Sequence, residues 1–102
     1  MPAKTKKLPP IHPGEVLKTV LEDAGITAGA LALALRIPAN RLTEIVNGRR
    51  SLSADTALRL ARYFGTSAQM WVNLQAKYDL DSAEDALADR IETEVQPMRK
   101  AS

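Results

Sequence analysis

The apolar residues of this chain recur at intervals of three and four in short runs, and most of those runs end at a glycine or a proline. Such spacing lines one face of a helix, and no stretch alternates at period two for long enough to make a strand. The expectation is therefore an all-α fold of short helices that bury their stripes against one another. With 102 residues there is room for one modest domain but not for two separately packed cores. There is no cysteine, which removes disulfides, thiol catalysis and cysteine-ligated zinc together, so packing alone must hold the fold. A domain of this size buries a limited area and gains from a partner, which makes oligomerisation an early expectation.

Met1 to His12 holds three prolines and three lysines without a periodic pattern and reads as a flexible basic arm, residues 1–12, with an ordered end near Ile11. Pro13 suits a first helical turn, and Val16, Leu17, Val20, Leu21 and Ala24 carry helix one to a left-handed stop at Gly25. Thr27 caps a second helix with the stripe Leu31, Ala32 and Leu35, and Pro38 opens a third that Gly48 ends. Ser53, with Asp55 in the first turn, starts helix four, which runs through Leu58, Leu60, Ala61 and Phe64 to Gly65. Ser67 caps helix five, which contains Met70, Trp71, Leu74 and Tyr78. After Asp79-Leu80-Asp81, Ser82 and Asp85 resemble a capping box for a sixth helix, whose stripe Ala83, Leu87, Ile91 and Val95 ends before Pro97. The expected organisation is thus the arm, a helical domain at 13–80, an acidic amphipathic helix at 81–96 and a tail at 97–102.

The net charge of +2 conceals two opposed segments. Residues 28–66 carry Arg36, Arg41, Arg49, Arg50, Arg59 and Arg62 against Glu44 and Asp55, a net of +4. Residues 79–94 carry seven carboxylates against Arg90 alone, a net of −6. A basic block suits a polyanion through phosphate contacts and counterion release, whereas an acidic helix repels nucleic acid and suits a protein. Two solvated faces of opposite sign give the same pattern.

Ala28 to Gly48 is more specific. Two short helices joined by three or four residues, with apolar positions at Leu31, Leu35, Ile37, Leu42 and Ile45, form a helix-turn-helix pattern, and the small Ala32 lets the two helices cross closely. The outward residues of the second helix are Ala39, Asn40, Arg41, Thr43 and Glu44. In the major groove Asn pairs doubly with adenine and Arg with guanine, so Asn40 and Arg41 lead the base-contact candidates. Thr43 offers a methyl or hydroxyl contact, and Glu44 either accepts from cytosine or holds Arg41 in place. Arg49, Arg50 and the amide end of helix four at Ser53 are candidates for phosphate contacts.

The run His12-Pro13-Gly14-Glu15, the stretch from Ile37 through Arg50, the segment Ala54 to Ala61, and Tyr63-Phe64-Gly65-Thr66-Ser67 on through Trp71, Asn73-Leu74-Gln75 and Tyr78-Asp79-Leu80 together resemble the HigA-type antitoxins, within the phage-repressor-like (XRE) helix-turn-helix class. The resemblance covers residues 11–80. It implies a five-helix DNA-binding domain, usually a homodimer, that represses its own operon by binding operator DNA and neutralises a HigB-type toxin, a ribosome-dependent mRNA endonuclease of the RelE-like fold. Here the five-helix domain would carry the acidic C-terminal helix in addition. Two departures from the family pattern stand out. Arg36 occupies the turn position where the family has glycine, and a left-handed backbone there costs about 1 kcal/mol relative to glycine. Helix two, Ala28-Gly29-Ala30-Leu31-Ala32-Leu33-Ala34-Leu35, has no polar side chain where relatives present one to phosphates, and Leu33 lies opposite its inward stripe.

Several residues fit two readings. Met70, Trp71, Leu74 and Tyr78 suit either a core or a homodimer seam, since large aromatic anchors serve both. The acidic helix suits either a solvated element packed on its own domain or a contact with a basic toxin. His12, the only histidine, sits at a helix start rather than in any cluster with metal-ligand spacing, and neither a nucleophile turn nor a Gly-rich phosphate loop is present. No enzyme activity, metal, cofactor or small-molecule substrate is therefore expected. No uncharged stretch, Ala24 to Leu35 included, approaches the roughly 20 residues that span a membrane, and Leu8-Pro9-Pro10 follows the N-terminal lysines where a secretory signal would place an apolar run. A cytoplasmic protein without a membrane partner is expected. A stand-alone dimeric repressor without a toxin, and a purely protein-binding helical module, remain as alternatives.

Overall fold

The computed structural model describes residues 8–99, which form five helices and, among those residues, no strand. They are α1 (Pro13–Ala24), α2 (Ala28–Leu35), α3 (Ala39–Val46), α4 (Ala54–Phe64) and α5 (Ala68–Glu94). Thr27, Ser53 and Ser67 cap α2, α4 and α5, their hydroxyls accepting from the amides of Ala30, Thr56 and Met70. Gly25 and Gly65 close α1 and α4 in the left-handed conformation. Arg36 takes the same conformation at the end of α2, with φ 61°, and is the only non-glycine to do so among the described residues.

The inward stripes converge on one core. Leu17 of α1, Leu31 and Ala32 of α2, Leu42 and Ile45 of α3, Leu60 of α4 and Trp71 of α5 are all essentially inaccessible to solvent. Each large apolar side chain buried in this way contributes about 1.5–3 kcal/mol of transfer free energy. Ala32 is buried in α2, which packs against α3.

His12 starts α1 as its N-cap. Its Nδ1 accepts from the Gly14 amide at 2.9 Å, while the Glu15 carboxylate accepts from the His12 amide at 3.2 Å, a reciprocal box. The imidazole also packs edge-on against Tyr78 of α5, with centroids 4.8 Å apart. Two residues on, the first turn of α1 presses against the last turn of α3, so closely that any side chain at Gly14 would collide with the Ile45 carbonyl.

The expected sixth helix is not separate. α5 runs unbroken for 27 residues, about 40 Å at 1.5 Å per residue, and Ser82 and Asp85 lie inside it rather than at a start. Asp79-Leu80-Asp81-Ser82 contains neither glycine nor proline, and the modest helix-propensity loss of these residues is offset by side-chain pairs one turn apart. Gln75 donates to Asp79 at 2.8 Å and Lys77 to Asp81 at 3.0 Å, carrying the helix through. The boundary expected at residue 80 therefore falls in mid-helix. Beyond Ser82 every described residue is exposed, and this end of α5 projects from the helical body, contributing to a longest molecular dimension of 57 Å. No helix among the described residues is long and apolar enough to cross a membrane. Residues 1–7 of the basic arm and 100–102 of the tail lie outside the described residues.

Candidate nucleic-acid interface

α3 buries Leu42 and Ile45 and turns Ala39, Asn40 and Thr43 to solvent. Pro38 precedes it without a side-chain cap, and the amides of Arg41 and Leu42 bond back to the Pro38 carbonyl. The amide end of α3 is therefore presented outward beside Asn40, where its partial positive charge favours an anion.

Arg41 lies half-buried between α3 and α4. Its Nη1 donates to Asp55 Oδ2 at 3.1 Å, and Asp55 in turn accepts from Arg59 Nε at 3.2 Å on both carboxylate oxygens. Arg59 completes the chain by donating from Nη1 to the Leu35 carbonyl, 2.9 Å, at the C-terminal end of α2. One carboxylate thus ties α4 to the side chain of α3 and, through Arg59, to α2. The Arg59 guanidinium foremost holds the Asp55 carboxyl below its usual range, against an opposing desolvation and with a lesser contribution from Arg41.

Glu44 faces Arg50, whose Nε donates to it at 2.8 Å. The expectation that Glu44 braces Arg41 is corrected: Asp55 does that, because α4 brings its first turn alongside α3. Arg49 is exposed, and Arg41, Arg50, Ser51, Ser53, Asp55 and Thr56 line one shallow depression against the amide end of α4. Ser53 uses its hydroxyl to cap the helix, leaving backbone amides as what this end offers an anion.

A helix-turn-helix family model matches residues 17–71. Virulence-associated protein I of Dichelobacter nodosus is 51% identical over 85 residues, spanning 82% of this chain and 79% of that protein. Antitoxin HigA-1 of Vibrio cholerae is 40% identical over 78 residues, 76% of this chain and 72% of that one. The structure of Pseudomonas aeruginosa antitoxin HigA with the higBA promoter superposes with a TM-score of 0.85 at 47% identity, covering 88% of this chain and 99% of that one.

The chain belongs to the HigA antitoxin family.

In this HigA-family chain the four residues considered for a dimer seam separate. Trp71 is 2% exposed and packs inside its own chain's core, so it has no surface to offer a second copy. Tyr78 is half-buried against His12, while Met70 and Leu74 reach the surface of α5. The structure also brings in residues that sequence reasoning passed over. The sequence marks Asp55 only as a first-turn acid and Arg59 only as part of the basic block. Gln75 is 7% exposed and reaches across to the loop after α3, accepting from the Leu52 amide at 2.7 Å. Its position one turn after Trp71, on the inward side of α5, was the signal available for it.

Proposed function

We propose that this protein is an operator-binding antitoxin that represses its own operon as a homodimer and neutralises a RelE-like toxin. The observation that carries the DNA-binding part is the exposed face Ala39, Asn40 and Thr43 on a helix anchored by Leu42 and Ile45, flanked by Arg41 pinned in place and by the cationic loop of Arg49 and Arg50. Its HigA relative solved with the higBA promoter supports the same reading.

In this reading Asn40, Arg41 and Thr43 meet base edges in the major groove, with Ala39 against the groove wall. Arg49, the depression at Arg50 and the amide end of α4 at Ser53 hold phosphates. Glu44, paired with Arg50, orients that arginine rather than reading a base. A single module of this size makes few contacts, and a two-fold pair reading half-sites roughly 34–36 Å apart supplies the rest. Met70, Leu74 and Tyr78 of α5 form the seam.

The toxin contact is assigned to the projecting end of α5. Seven carboxylates against Arg90 alone from residue 79 to 94, with Leu80, Ile91 and Val95 about half or more exposed, suit a toxin that must be basic to hold mRNA. Another exposed apolar side chain, Leu58 on α4, lies beside Arg59 and Arg62, which would repel such a partner. Neutralisation is steric: a toxin held on α5 is kept from the ribosome without chemistry from this chain.

Co-expression of a small basic protein encoded beside this gene, with the full-length chain and with Leu87→Lys/Ile91→Lys, tests the toxin part. Growth should be restored by the full-length chain and lost with the double variant. Failure of the full-length chain to rescue or co-purify leaves a stand-alone dimeric repressor.

A further inference from the structure

The connection from α3 to α4, residues 47–53, carries Arg49, Arg50 and Ser53, yet its first half and its second half are fixed by different elements. The amides of Asn47, Gly48 and Arg49 bond back to Thr43, Ile45 and Glu44, so the first half follows α3. The second half is fixed from α5: Leu52 is buried in the core, and its amide donates to Gln75 Oε1 at 2.7 Å in a site closed to solvent. Gln75 Nε2 donates to Asp79 Oδ1 at 2.8 Å, one turn further along α5. The Leu52 amide can be met only by an oxygen and the Asp79 carboxylate only by the NH2 group, so the two partners together fix which way the Gln75 amide points.

A leucine or methionine at 75 would fill the same space with better core chemistry but would leave the Leu52 amide buried and unpaired. What the glutamine adds is position. We propose that Gln75, oriented by Asp79, is a positioning residue for operator binding: it sets the backbone at Leu52 and thereby the placement of Arg50 and of the amide end of α4 against DNA phosphates. The proposal rests on the operator reading above. Gln75 itself, buried behind the loop, touches no DNA.

The test uses full-length protein and a duplex from its own promoter, titrated by fluorescence anisotropy across a salt series, at a temperature where circular dichroism shows each variant folded. Gln75→Leu and Gln75→Glu should each weaken binding about tenfold at fixed salt and lower the salt slope by about one unit, while the preference for operator over a base-substituted operator stays as in wild type. Gln75→Glu combined with Asp79→Asn exchanges the two groups: the carboxylate then accepts from Leu52 and the new amide donates to it, at the wild-type net charge. That pair should restore both affinity and slope. A purely stabilising role would lower melting temperatures while leaving affinity and slope untouched, and that result overturns the proposal, as does a folded exchange variant that stays weak. If wild-type protein binds its promoter no better than unrelated DNA, the operator reading fails and the proposal with it; wild-type binding with unaltered variants overturns the proposal alone.

Discussion

Arg41 and Asp55, fourteen residues apart and on different helices, meet through a 3.1 Å hydrogen bond that joins α3 to α4. A guanidinium held from behind has less rotamer freedom left to lose on meeting a ligand than a free side chain has. The same carboxylate accepts from Arg59, so the arginine expected to read DNA and the arginine that closes α2 share one anchor.

Because both guanidiniums hold the Asp55 carboxyl below its usual value of 3.8, its stabilising contribution is present above that pH and is lost as the pH falls through the lower folded value. Thermal melts from pH 6 down to pH 2.5 should show wild type losing more of its melting temperature below about pH 4 than Asp55→Asn does. Parallel curves would remove Asp55 as an acid-sensitive tie.

Arg36 sits at φ 61°, where glycine is the unstrained residue. Its side chain is exposed and makes no ion pair among the described residues, so Arg36→Gly relieves the strain without breaking a contact. Urea unfolding should show a gain of up to about 0.6 kcal/mol, the left-handed penalty less the extra freedom glycine gives the unfolded chain.

Glycine-to-alanine changes should have opposite signs at two positions. At Gly14 the new methyl meets the Ile45 carbonyl, which is backbone and cannot step aside, so Gly14→Ala should cost about 1–3 kcal/mol and weaken DNA binding by displacing α3. At Gly29, in the first turn of α2, nothing lies within 4 Å, and Gly29→Ala should stabilise by up to about 1 kcal/mol. Denaturant midpoints of the two variants against wild type decide this.

What the sequence disclosed and what it hid follow from the range of the interactions. Caps and stops act within one turn, so Thr27, Ser53, Ser67, Gly25 and Gly65 could be placed from neighbouring residues alone. The core stripes followed equally from period. The Ser82–Asp85 pattern misled because a capping box is a local possibility that competes with continuing the helix, and Lys77–Asp81 and Gln75–Asp79 favour continuation. Pairings between helices leave no mark in a periodicity. Arg41 with Asp55, Gln75 with Leu52, and Gly14 against Ile45 depend on how α1, α4 and α5 pack around α3, and Trp71 could be told from a seam residue only once that packing was known.

The central claim is that α3 reads an operator, and anisotropy titrations of Asn40→Ala, Arg41→Ala and Arg49→Ala on the protein's own promoter test it most directly. Asn40→Ala and Arg41→Ala should each lose about 1–3 kcal/mol on the operator and relax the preference among base-substituted duplexes. Arg49→Ala should weaken every duplex alike and flatten the salt slope by about one unit. If Asn40→Ala and Arg41→Ala both bind the promoter with wild-type affinity and wild-type preference, the recognition face assigned to α3 is contradicted.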